Sequence, residues 1–94
     1  MKIVVTGGTG FLGKRLCRKL EENNHTIFSY DITDGYDILN KETLEKVFQD
    51  FKPDTIIHLA ACADLNIFRE KPEISHKINV IGTRNILEQC VKSN

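Results

Sequence analysis

The chain has 94 residues, short of the roughly 100–200 usual for one domain, so it has room for a single domain and excludes a two-lobed enzyme. Hydrophobic residues make up 40% of it, enough for a modest core and too many for a disordered segment. Thirteen Lys and Arg balance thirteen Asp and Glu, so no long-range field selects nucleic acid or an anionic membrane surface as partner. Cys17, Cys62 and Cys90 are odd in number and form no C-x-x-C, which argues against a disulfide framework or a zinc site and suits a reducing, cytoplasmic setting. No apolar run approaches the roughly 20 residues of a membrane span, and the opening Met1 to Gly7 is too short for a signal peptide.

Lys2 to Thr6 is a β-branched apolar run closed by Gly7 and Gly8, the pattern of a strand buried on both faces. From Phe11, the residues Leu12, Leu16, Cys17 and Leu20 recur at helical spacing before Asn23 and Asn24, predicting an amphipathic helix. His25 to Tyr30 predicts a second strand, Asp31 to Gly35 a turn, and Tyr36-Asp37 a very short third strand. Asn40 is placed to cap a helix whose inner stripe is Leu44, Val47, Phe48 and Phe51 and which stops before Pro53. Thr55 to Ala60 is apolar without alternation and predicts a strand covered on both faces. After a connection containing Pro72, the residues Ile74, Ile78, Ile81, Ile86, Leu87 and Cys90 predict a last helix. Strands alternate with helices, so the expected fold is α/β, a parallel Rossmann-type sheet of about four strands built from right-handed β-α-β units.

Between the first strand and the first helix lies Thr6-Gly7-Gly8-Thr9-Gly10-Phe11-Leu12-Gly13. Gly7 suits a tight turn off the strand, Gly10 a close approach of backbone to a pyrophosphate, and Gly13 close packing of helix on sheet. The exposed amides and the positive helix end complete an anion site. A turn that only joins two elements is the plainer alternative. The spacing is G-x-x-G-x-x-G where the usual dinucleotide fingerprint is G-x-G-x-x-G, and no Gly-Lys-Ser/Thr follows, which excludes a Walker loop. Asp31 closes the second strand 18 residues after Gly13, where an acid accepts from an adenosine ribose and repels a 2′-phosphate, favouring NAD over NADP. Its alternative is a turn former in Asp-Ile-Thr-Asp-Gly. His58 reads as a packed or half-exposed imidazole, and Arg69, Glu70 and Lys71 as a solvated charge run.

With the glycine block, Asp37-Ile38, Pro53-Asp54-Thr55-Ile56-Ile57-His58-Leu59-Ala60-Ala61 and Asn79-Val80-Ile81-Gly82-Thr83-Arg84-Asn85 in that order, the chain resembles the NAD-dependent epimerase/dehydratase family of the extended short-chain dehydrogenase/reductase superfamily, whose members act on nucleotide sugars. The resemblance implies that Phe11 and Leu12 meet the cofactor pyrophosphate through their backbone and that Asp31 holds the adenosine ribose. It implies that Asp37 and Ile38 lie beside the adenine, that Leu59, Ala60 and Ala61 lie along the cofactor toward its nicotinamide end, and that Asn79 fastens that strand end. For Asp37 a helix-entry acid, for Ala60-Ala61 ordinary close packing and for Asn79 a satisfied buried amide stand as alternatives.

The family's Tyr-x-x-x-Lys pair, in which the lysine lowers the tyrosine pKa for proton transfer, has no counterpart: Tyr30 and Tyr36 are followed four residues later by Asp34 and Asn40. The expectation is therefore the N-terminal half of an NAD-binding domain, residues 1–94, binding a dinucleotide, lacking catalytic residues, and taking a nucleotide sugar only within a longer protein. The strand Thr55 to Ala60 then forms a sheet edge through which the chain self-associates. The alternative is a stand-alone nucleotide-binding or regulatory module without chemistry.

Overall fold

The computed structural model describes residues 1–62 and 65–93. Three parallel strands form one sheet: β1 (Lys2–Thr6), β2 (Thr26–Tyr30) and β3 (Thr55–His58), in the order β2-β1-β3. Ile3 pairs with Ile27 on one side and Thr55 on the other, and the register holds through Thr6, which pairs with Tyr30 and His58. Alternation of side chains along β1 sends Ile3 and Val5 to one face and Val4 and Thr6 to the other.

Helix α1 (Phe11–Glu22) packs over β1 and β2 on the first face. The opposite face is covered by α2 (Lys41–Phe51) and by a helical run made of α4 (Pro72–His76), a π-helical segment Lys77–Gly82 and α5 (Thr83–Ser93). The core lies on that side, where Val4, Tyr30, Ile38, Leu44, Val47, Phe48 and Ile86 pack together. Burying Leu44 fully, as observed, contributes roughly 1.5–3 kcal/mol. The Asn40 carboxamide caps α2 by accepting from the Thr43 amide at 3.1 Å, as the sequence predicts. Lys52, with φ of 53°, closes that helix in the left-handed region.

Three expectations are corrected. Tyr36 and Asp37 form no strand, so among the described residues the sheet has three strands where about four were expected. The Tyr30 hydroxyl donates to the Asp37 carbonyl at 2.7 Å, and the Asp37 carboxylate accepts from the Leu39 amide at 2.9 Å, so this stretch spends its hydrogen bonds on a turn. Pro72 does not lie in a connection but in the first turn of α4, where its missing N–H costs nothing, and a short helix α3 (Leu65–Glu70) precedes it. The strand β3 is half-buried along its length; its regular pairing ends at His58, with Leu59 and Ala60 continuing as cleft wall.

Candidate functional site

At the C-terminal ends of the strands the chain leaves β1 through Gly7, whose φ of 71° is open to glycine at little cost. Its N–H donates to the Tyr30 carbonyl at 3.0 Å, and the Gly10 N–H returns to the Gly7 carbonyl at 3.1 Å. A Cβ on Gly7 would stand 3.0 Å from the Ala60 amide nitrogen, and one on Gly13 would fall on the Gly7 carbonyl oxygen and on Gly8. Both glycines are therefore required by packing within the chain. Gly10 differs. A Cβ there would meet only the Gly7 oxygen, at an ordinary 3.4 Å, so nothing inside the chain demands glycine at that point.

Gly10 is also the N-cap of α1, supplies no side-chain acceptor, and is followed by no acid in the first turn. The amides of Phe11, Leu12 and Gly13 have no intrahelical partner at such an end, and the helix supplies no acid of its own against its positive terminus. The side chains of Phe11 and Leu12 are exposed; the Arg15 guanidinium lies 4.0 Å from the Phe11 ring centroid.

Asp31 sits at the end of β2 and is 7% exposed. Its carboxylate accepts from the Thr9 amide at 3.1 Å and from the Thr33 amide at 2.9 Å, and in doing so caps the single 3₁₀ turn Ile32–Asp34. Burial by itself pushes this carboxyl up, but the hydrogen bonds from Thr33 and Thr9 outweigh it and hold the group below the usual carboxylate range. The turn-former role is thus real, and the same acid also tethers the glycine loop to the second strand.

Gly7, Gly10, Tyr30, Asp31, Ile38, Leu59, Ala60 and Ala61 line one cleft of about 440 Å³, together with Thr9, Ile32, Thr33, Tyr36 and Ile78. Of the expected site residues, Phe11, Leu12, Gly13 and Asp37 do not line it. Asn79 does not either, but its carboxamide accepts from the Cys62 amide at 2.7 Å and donates to the Cys62 carbonyl at 3.0 Å, fastening the chain just beyond the cleft wall. Ile38 is buried under Gly82, and its carbonyl accepts from the Asn85 side-chain carboxamide at 3.0 Å. A larger, more open depression of about 770 Å³ lies beside α1 and carries Lys14, Arg18, Glu21 and Glu22; its mixed charges single out no ligand. The smaller cleft lies outside the carboxyl ends of parallel strands, where ligands bind in open α/β sheets.

Thr9, Thr33 and Tyr36 escaped the sequence reading. Thr9 lies inside the glycine block and Thr33 two residues after Asp31, the spacing of an Asx turn; that spacing was the available signal. Tyr36 carries none, because its place in the wall comes from ring packing on Tyr30 and Phe28, with centroids 5.2 Å apart in both pairs.

The sequence and the fold both match known proteins. The family model "NAD dependent epimerase/dehydratase family" matches residues 3–94. The chain belongs to that family. It is 37% identical over 95 residues to the GDP-6-deoxy-D-talose 4-dehydrogenase of Aggregatibacter actinomycetemcomitans, an alignment that takes in 100% of this chain and 32% of that protein. The UDP-glucose 4-epimerase of Thermotoga maritima, solved with UDP-glucose, superposes with a TM-score of 0.94 at 30% identity, covering 100% of this chain and 35% of the epimerase. The UDP-glucose 4-epimerase of Thermus thermophilus, solved with NAD, gives 0.93 at 27% identity and covers 99% and 34%. The chain thus spans about a third of the length of the relatives it matches.

Proposed function

We propose that this family member binds the adenosine and pyrophosphate part of NAD in the cleft between the glycine loop, Asp31 and the Leu59–Ala61 wall, as the dinucleotide-binding portion of a nucleotide-sugar epimerase/dehydratase-type oxidoreductase. The observation that carries the reading is Gly10. It stands at an uncapped helix N-terminus lining the cleft, and the chain's own packing gives no reason for the missing Cβ; a phosphate drawn against those amides does. The Phe11, Leu12 and Gly13 amides meet the pyrophosphate. Asp31, ionised and already aligned by Thr9 and Thr33, accepts from the ribose hydroxyls and repels a 2′-phosphate, so NAD is preferred to NADP. Ile38 and Tyr36 offer apolar surface for the adenine, with Asp37 accepting its amine. Leu59, Ala60 and Ala61 lie along the cofactor toward its nicotinamide end, and Asn79 braces them.

Bound NAD supplies a hydride acceptor, and the chain's residues contribute binding and orientation. With no Tyr-x-x-x-Lys pair in these 94 residues, the chain alone lacks the pair that the family uses for proton transfer, and no sugar turnover is expected of it. The three unpaired cysteines suit the cytoplasm. Among the described residues no helix is long and apolar enough to cross a membrane.

Isothermal titration tests the reading: NAD gives heat at low millimolar concentration, NADP binds more weakly, and Asp31→Ala narrows the difference. Absence of heat with NAD up to about 5 mM, a free energy near −3 kcal/mol, refutes it.

A further inference from the structure

The Leu59–Ala60 wall of the cleft is held by hydrogen bonds whose direction can be read atom by atom. The Thr6 Oγ1 accepts from the Ala60 amide at 3.1 Å and from the Leu59 amide at 3.0 Å, an N–H that Leu59 shares with the Thr6 carbonyl. Both hydroxyl lone pairs are then engaged, so its single proton goes to the His58 Nδ1 at 2.6 Å. A neutral imidazole that accepts at Nδ1 carries its proton on Nε2, which lies 2.9 Å from the Thr83 Oγ1. The Thr83 hydroxyl is free to accept there because it donates its own proton to the Asn79 carbonyl at 2.8 Å. Asn79 closes the circuit by gripping the Cys62 backbone at both its N–H and its carbonyl.

We propose that His58 is a positioning residue, held as the neutral Nε2–H tautomer, which ties the Leu59–Ala60 wall to the Asn79–Thr83 turn of the helix and thereby sets dinucleotide affinity. This rests on the cofactor reading above. His58 does not line the cleft; it acts through the two residues that follow it. The groups facing it are the Thr6 hydroxyl from β1 and, from the helical run, the Thr83 hydroxyl and through it the Asn79 carbonyl. None of them titrates, and burial alone holds the imidazole below its ordinary pKa. A second proton would place an N–H at Nδ1 against a hydroxyl whose lone pairs the Leu59 and Ala60 amides already hold, so one of those bonds must be given up. The relay therefore opens on acidification, and the wall loosens with it.

The experiment starts on the 94-residue chain without ligand. Long-range proton–nitrogen NMR near neutral pH is expected to show His58 protonated at Nε2 and bare at Nδ1, with the Leu59 and Ala60 amides protected from exchange. An Nδ1–H tautomer, or an averaged mixture, overturns the proposal whatever the cofactor does. In NAD titrations His58→Phe is expected to bind about tenfold more weakly, the loss expected for one to two hydrogen bonds, and to lack the acid-side fall in affinity of the natural chain. Thr6→Val is expected to match it, and Thr6→Ser to recover the affinity that valine removes. Equal affinity and equal pH profiles for the natural chain and His58→Phe overturn the proposal. If no chain binds NAD, the cofactor reading fails, and the tautomer and amide protection still decide the relay.

Discussion

Alanine at Gly10 and alanine at Gly13 are the same chemical change three residues apart, and the structure gives them opposite signatures. At Gly13, inside α1, helix propensity alone favours alanine by about 1 kcal/mol. The new Cβ falls on the Gly7 carbonyl oxygen and lies 2.8 Å from the Gly8 Cα, and backbone cannot rotate aside as a flexible side chain does. A clash this deep against backbone sits at the upper end of the range for overpacking, about 2–3 kcal/mol, so the clash wins and the net loss is about 1–2 kcal/mol. For a domain of this size that lowers Tm by about 4–16 °C. At Gly10 the backbone has φ of −72°, open to any residue. The N-cap preference for glycine over alanine, up to about 1 kcal/mol, is offset by the about 0.4–1 kcal/mol that alanine gains by restricting the unfolded chain. Folding stability therefore stays within about 0.5 kcal/mol while NAD affinity drops by more than tenfold. Thermal melts by circular dichroism paired with calorimetric titration read both quantities on the same samples. A Gly13→Ala chain that melts at or above the natural Tm refutes the packing argument, and a Gly10→Ala chain that binds NAD as well as the natural one refutes the cradle.

Asp31 has a folded pKa below its unfolded value, so its stabilising contribution is complete above the unfolded pKa of about 4 and is lost as pH falls through the lower folded value. Urea midpoints at pH 6 and pH 3 are expected to differ less for Asp31→Asn than for the natural chain; an unchanged difference counts against the carboxylate's role. Tyr30→Phe removes the 2.7 Å bond to the Asp37 carbonyl and is expected to lower stability by about 1 kcal/mol, read from denaturant midpoints; no change would mean the turn at Asp37 holds itself. β3 pairs only with β1 among the described strands and carries no charge, so sedimentation at about 100 µM is expected to show association that Ile57→Lys suppresses. A monodisperse natural chain rejects the sticky edge.

The helices and strands with strong periodicity were legible because one principle governs each: Ile3, Val4 and Val5 of β1 are all apolar since helices pack on both its faces, and the α2 stripe faces the core as spaced. The glycine loop was legible because its residues are demanded locally, by a positive φ at Gly7 and by a backbone approach at Gly13. Tyr36-Asp37 misled because a β-favouring aromatic beside a turn-forming acid gives no hint that Tyr30, seven residues before Asp37, supplies the competing bond. The π-helical segment was hidden for a related reason: the spacing of Ile74, Ile78 and Ile81 fits an ordinary helix, and the wider turn appears only with Asn79 and Thr83 in place. His58 looked like filler because its importance lies in what Thr6 and Thr83, distant in sequence, do with its two nitrogens.

The central position of β1 also orders events on the ribosome. The strand that ends with a neighbour on each side is made before either neighbour, and the Thr6–His58 contact closes over 52 residues. At about 5–20 residues per second, Ile3, Val4 and Val5 wait roughly 3–10 s between their own emergence and that of β3. During that interval β2 can shield one edge only, so the nascent chain presents its most apolar strand half-paired, and its yield in a cell depends on what meets that open edge first.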